Sequence, residues 1–176
     1  PELPRFGMTM ILPVEFQHIS WYGRGPHESY WDRKSSAPVG VYSGTVWEQY
    51  HPYVRPQETG NKTDVRWMAL TNDKGIGLLA IGRTFFNGCA LQFDLSELDC
   101  YGKNKPHRHG SEIKPGNIIS WDIDYQQMGV GGDNSWGART HPEYVLYANR
   151  EYEYEFRLCP FDARKENPMD MWRVKF

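Results

Sequence analysis

The sequence predicts an all-β protein: an antiparallel β-sandwich with long decorated loops. Three observations carry this. Apolar residues recur at every second position, no stretch repeats them at helical spacing, and turn-rich segments separate the apolar runs. With 176 residues the chain suffices for one domain with a real core, so a single domain over 1–176 is expected.

The period of two is clearest in IISWDIDYQQ (118–127) and EYEYEFRL (151–158). In the first, Ile119, Trp121, Ile123 and Tyr125 alternate with Ser120, Asp122, Asp124 and Gln126. In the second, Tyr152, Tyr154, Phe156 and Leu158 alternate with Glu151, Glu153, Glu155 and Arg157. Each pattern predicts a strand with one buried and one wet face. Further strands are expected at 8–12, 18–22, 39–42, 65–71, 77–82 and 90–95, with NDKG (72–75) as a hairpin turn between the fourth and fifth of these. SELDCYGKN (96–104) has room for one short turn of helix. Three long turn-rich stretches interrupt the strands, at 23–40, 51–64 and 129–143. Loops of that length in a compact domain are where function usually sits.

Composition removes several classes of function. Lys and Arg number 20 against 22 Asp and Glu, so no basic excess is present to neutralise phosphates, and nucleic acid is not an expected partner. Apolar runs such as 76–81 are far too short to cross a bilayer, so no membrane partner is expected either. The three cysteines, Cys89, Cys100 and Cys159, lack CxxC spacing; free thiols are the default and one disulfide stays open. Aromatics reach 15% of residues, which suits both strand packing and the lining of a sugar site. The chain starts at Pro1 with no apolar leader and reads as a piece of a longer or processed chain.

Among candidate site residues, His107 and His109 form an H-x-H pair. In a strand both rings would point one way, as a metal needs, but no third ligand is marked and a structural pair is the stronger reading. Arg55, Glu58, Asn61, Asp64 and Arg66 lie in and beside the second long loop. They suit either the reading of sugar hydroxyls or a salt-bridged network holding the loop, and the network is favoured. GRG at 23–25 is not followed by a phosphate-loop signature, and no GxSxG elbow occurs. A glycosidase needs two carboxyl groups about 5 Å apart for retention or about 6.5–9.5 Å for inversion. Nothing singles out such a pair among the 22 acidic residues, so no catalytic acid is assigned. In GVGGDNSWG (129–137), Gly129, Gly131 and Gly132 suggest unusual backbone angles and close approach, while Asp133, Asn134 and Ser135 are turn formers. Trp136, at the edge of that turn, is either pinned to its own domain or offered to something outside.

PRFGM (4–8), WYGRGPHESYWDR (21–33), YVRPQETGN (53–61), HRHG (107–110) and GVGGDNSW (129–136) occur in this order, followed by YEYEFRL. In these motifs, over nearly its whole length, the chain resembles the C-terminal domain of the large β-galactosidases of glycoside hydrolase family 2. The resemblance implies a galactose-mutarotase-like β-supersandwich packed against a catalytic (β/α)₈ barrel that carries both catalytic glutamates and the principal magnesium site. It implies no cofactor in this chain, an inactive isolated piece, and a β-galactoside or galactose as the shared ligand. The GGD-x-SW motif makes Trp136 an apolar platform for the sugar, with Asp133 and Asn134 beside it. Arg55, Glu58, Asn61, His107 and His109 are the other candidate contacts. The family's last domain extends upstream of PRFGM, so open strand edges and a homo-oligomeric parent are compatible with this chain, in either the cytoplasm or the periplasm of a bacterium. An autonomous carbohydrate-binding module is one alternative. A second is an aldose epimerase using His107, His109 and Glu58 as acid and base, and a third is a structural domain with Trp136 buried in its own sheet.

Overall fold

The computed structural model describes residues 1–134 and 136–174. Nine strands are described: β1 (Glu2–Leu3), β2 (Arg5–Pro13), β3 (His18–Arg24), β4 (Val39–Thr45), β5 (Lys62–Thr71), β6 (Ile76–Leu91), β7 (Ile118–Gln127), β8 (Leu146–Tyr147) and β9 (Phe156–Asp162). One α-helix, α1 (Pro168–Arg173), follows them. All pairings are antiparallel. The main sheet runs β2-β7-β6-β5-β3-β4, with β9 also on β6, and β1 pairs β8 separately. No helix among the described residues is long and apolar enough to cross a membrane.

The 16-residue β6 organises the sandwich. Its first half, Ile76 to Gly82, pairs β9 on one side and β5 on the other; its second half, Asn87 to Leu91, pairs β7. Two separate strands were expected at 77–82 and 90–95; the chain instead runs through as one strand and then leaves the sheet in a 3-10 turn at Leu95–Leu98. That turn overlaps the helical turn expected in SELDCYGKN. The NDKG hairpin is present: Gly75 N–H donates to Asn72 O at 2.8 Å, and the Asn72 side chain accepts from Lys74 and Ile76.

The main core is filled from both halves of the sheet. Ile19, Trp21, Met68, Leu70 and Ala80 meet Leu12, Phe86, Ala90, Ile119, Trp121 and Ile123. The Trp121 indole N–H points at the Met68 sulfur at 3.2 Å, bridging β7 and β5. A register shift between Val65 and Trp67 puts Val65 and Met68 in this core and turns Trp67 and Ala69 to the opposite face. There α1 covers Trp67, Leu79, Ile81 and Phe161 with Met169, Met171 and Trp172.

Two expectations need correction. β7 was expected to keep one face wet, yet Ser120, Asp122 and Asp124 are buried. Two of these are satisfied inside: Ser120 donates to Phe93 O at 2.7 Å, and Asp122 accepts from Thr9 at 2.6 Å and from Arg5, whereas Asp124 Oδ1 has no hydrogen-bond partner among the described residues. The alternating stretch 151–158 joins a strand only from Phe156. Its earlier rings instead gather with Phe6 and Tyr125, with centroids about 6 Å apart, and Tyr154 donates to Ile123 O at 3.0 Å.

Candidate functional site

The three long loops converge. Residues 30, 32 and 33 from the first, 53, 57 and 58 from the second and 130–133, 141 and 144 in and beside the third enclose a cleft of about 410 Å³. Its walls include Tyr30, Asp32 and Arg33, Tyr53 and Glu58, and Gly131, Gly132, Asp133, His141 and Tyr144.

Each loop is held by identifiable bonds. Tyr30 and Arg33 exchange backbone hydrogen bonds of 2.9 Å in both directions, so Trp31 and Asp32 are the two central residues of a tight hairpin turn. Glu28 ties the first loop to the second. It accepts from the Tyr53 hydroxyl, from Gly60 N–H at 2.8 Å and from Arg33 at 2.5 Å. Burial pushes the Glu28 carboxyl up, but those donors outweigh it and hold it below the ordinary carboxylate range. Glu58 accepts from Arg5 at 2.8 Å, and burial raises its carboxyl in spite of that cation. Asp133 accepts from His141 at 2.7 Å, a bond that raises the imidazole.

The third loop has a narrow neck and a projecting tip. Thr140 Oγ1 donates to Gly129 O and Gly129 N–H to Tyr144 O, both at 2.8 Å. The unusual backbone angle expected at 129, 131 or 132 lies elsewhere, at Gly137, where φ is +107°. Close approach is what Gly132 supplies: a Cβ there would fall 2.2 Å from Ala138 O on the returning arm. At the tip, Asn134 Oδ1 accepts Trp136 N–H at 2.8 Å, and the Trp136 ring is 93% exposed. Ser135, read from the sequence as a turn former, lies outside the described residues.

Of the residues singled out from sequence, Glu58 and Asp133 are brought together in the cleft, with Asn134 and Trp136 on the loop that walls it. The others lie apart. Arg55 stacks its guanidinium 4.3 Å from the Tyr101 ring centroid. Asn61 is buried and donates to Ser29 O at 2.8 Å. His107 packs against Tyr101, and His109 bonds Val54 O at 3.2 Å just before a 3-10 turn at Gly110–Glu112. No strand runs through 107–109, so the strand geometry that would aim both imidazoles one way is not present, and neither His lines the cleft with Glu58. No three His, Cys, Asp or Glu side chains among the described residues form a metal-ligand group, and Arg5 already meets the buried Asp122 and Asp124 carboxylates. The three cysteines are free thiols. Sequence reading missed Tyr30, Asp32, Arg33, Tyr53 and His141. Their signal was only the density of turn and polar residues in the three long stretches, 23–40 for Tyr30, Asp32 and Arg33, 51–64 for Tyr53 and 129–143 for His141.

An antiparallel sandwich whose loops gather carboxylates and aromatic rings around a cleft has the make-up of a small-molecule-binding domain. The chain belongs to the beta galactosidase small chain family, whose pattern it matches over residues 1–158. It is 47% identical over 160 residues to a beta-galactosidase of Priestia megaterium, covering 91% of this chain and 15% of that protein. It is 39% identical to a beta-galactosidase of Vibrio cholerae and 36% identical to one of Lactobacillus delbrueckii subsp. bulgaricus, each over 90% of this chain. The chain thus spans about 15% of the length of the curated relatives it matches.

Proposed function

We propose that this chain is the non-catalytic C-terminal portion of a β-galactosidase that hydrolyses terminal β-galactosides. On this reading the two catalytic glutamates of the retaining mechanism, and magnesium, belong to a barrel outside this chain. The sandwich is one part of a larger galactose-mutarotase-like β-supersandwich packed against that barrel. What it lends to the shared site is the Trp136 ring, with Asp133, Asn134 and Glu58 as polar neighbours; no cofactor is assigned to the chain itself.

The observation that carries the reading is the exposure of Trp136, 93%, on a loop whose neck is pinned by backbone and side-chain bonds. A large aromatic left in water at the tip of a held loop has no packing role among the described residues of this chain. Covering such a ring hides about 150–250 Å². At ~25 cal/mol/Å² this is a gross gain of about 4–6 kcal/mol before ordering costs. An apolar platform orients a pyranose face and leaves bond breaking to groups elsewhere.

The test compares full-length enzyme with its Trp136→Ala and Trp136→Phe forms for aryl β-galactoside hydrolysis and for binding of a galactose-like inhibitor. Weaker binding in the alanine form, with partial recovery in the phenylalanine form, supports the platform. Unchanged binding in both removes it. The cleft beside the loop favours a second reading, an autonomous carbohydrate-binding module, and calorimetric titration of the chain with galactose separates the two. Heat of binding at millimolar galactose supports the module, whereas the half-site reading expects none.

A further inference from the structure

We infer that Asp32 is a positioning residue that sets where the Trp136 platform stands; the inference rests on the platform reading above. An exposed ring has no side-chain neighbours to fix it, so its place in space is decided by its backbone. The question is what fixes that backbone above the neck. The Asp32 carboxylate accepts Gly131 N–H at 2.8 Å, across 99 residues of sequence. Its other oxygen, Oδ1, is shut from solvent and has no partner among the described residues.

Asp32 is itself well placed for this task. It occupies the turn closed by the paired Tyr30 and Arg33 backbone bonds, and Tyr30 is buried beneath it. Trp31, the other turn residue, packs edge-on against Tyr144 with centroids 5.7 Å apart, and Tyr144 O in turn accepts Gly129 N–H at 2.8 Å. Two adjacent side chains therefore grip the third loop at two points. The grip reaches the tip through Gly132, which leaves no space between its own arm and Ala138 on the returning arm. Fixing residue 131 fixes 138, and the Asn134–Trp136 turn stands between them.

The test uses the full-length enzyme with Asp32→Ala, Asp32→Asn, Trp136→Ala and the Asp32→Ala/Trp136→Ala double form. Isopropyl β-D-thiogalactoside is the binding probe, and trypsin cleavage after the exposed Arg139 is the readout of the loop itself. Asp32→Ala is expected to raise the inhibitor Kd and the aryl galactoside KM about 3–10-fold with kcat within about twofold, since loss of orientation by a remote change weakens binding geometry. Cleavage after Arg139 should accelerate. Asp32→Asn keeps an oxygen for Gly131 N–H and should restore both. In the Trp136→Ala background the effect of Asp32→Ala on Kd should vanish. If it persists there undiminished, Asp32 acts on the ligand directly and positioning is overturned. Wild-type cleavage and Kd in Asp32→Ala overturn it as well. If Trp136→Ala alone leaves Kd unchanged, the platform reading fails, while Arg139 cleavage still decides whether Asp32 holds the loop. Should Asp32→Ala not fold, Asp32→Glu, which displaces the acceptor by one methylene, carries the same expectations in smaller degree.

Discussion

Arg5 and Glu58 meet at 2.8 Å, and through that bond the edge of the sheet reaches the wall of the cleft. The same guanidinium bonds Asp122 and lies 3.6 Å from Asp124, so one cation serves three carboxylates. Arg5→Ala takes the cation from all three, leaving Asp122 its bond from Thr9. The expected cost is about 3 kcal/mol, as for breaking a buried pair from one side, read as a lower urea midpoint at unchanged slope. Glu58 should also lose its position, so ligand binding in the parent should weaken.

Asp124 makes stability depend on pH. Burial pushes its carboxyl up to about 7; Arg5 opposes this, and Asp122 and Glu58 add to it. The unfolded chain releases that proton near pH ~4, so between about 4 and 7 the folded state binds the extra proton. Stability is then fully present below about pH 4 and is lost as pH rises through 7. Urea midpoints should fall from pH 5 to pH 8, and Asp124→Asn should flatten that fall. A slope that survives the substitution would assign it to another group.

Lys62 acts with the opposite sign. Its amine is buried, 5.0 Å from the Trp21 ring centroid, and donates to Gly60 O at 3.1 Å. Burial lowers it to about 8, with Cys89 and Glu28 opposing. From about 8 to about 10.4 the unfolded chain holds the proton that the folded chain has lost, so stability rises with pH across that window. Lys62→Met keeps the stem and removes the charge. It should be neutral or stabilising by about 1 kcal/mol at pH 7 and should abolish the rise, as seen by denaturation at pH 7, 9 and 10.

Trp136→Ala separates stability from function. A residue this exposed should change the unfolding free energy by no more than about 0.5 kcal/mol. Sugar affinity in the parent should drop all the same. Equal losses in both would mean that the ring packs somewhere on its own protein.

The pattern of two in 118–127 told truly which way the side chains of β7 point, but not that both faces are covered. Alternation reports direction, whereas burial of Asp122 and Asp124 depends on Arg5, more than a hundred residues away in sequence. The same pattern in 151–155 was real as an aromatic row and misleading as a strand, because its rings pack on Phe6 and Tyr125 without a ladder. α1 was missed since six residues show no helical period; the cue was Asn167 before Pro168, a capping residue followed by a proline at the first helical position. At the site, the motifs pointed to the loops and to Glu58 and Asp133, but not to the other members of the cleft. Asp32 reads as one acidic turn residue among many until Gly131 is found beside it.

The pairing of Arg5 with Gln127 has a temporal side. β2 leaves the ribosome long before β7, its ladder partner among the described residues, is made. At ~5–20 residues per second the delay is on the order of 6–25 s. During that interval an apolar nine-residue segment, RFGMTMILP, waits for the partner this sandwich gives it and is open to chaperones and to neighbouring nascent chains. The β2–β7 seam joins two strands more than a hundred residues apart in sequence, so translation speed, as much as sequence, governs how cleanly it is sealed.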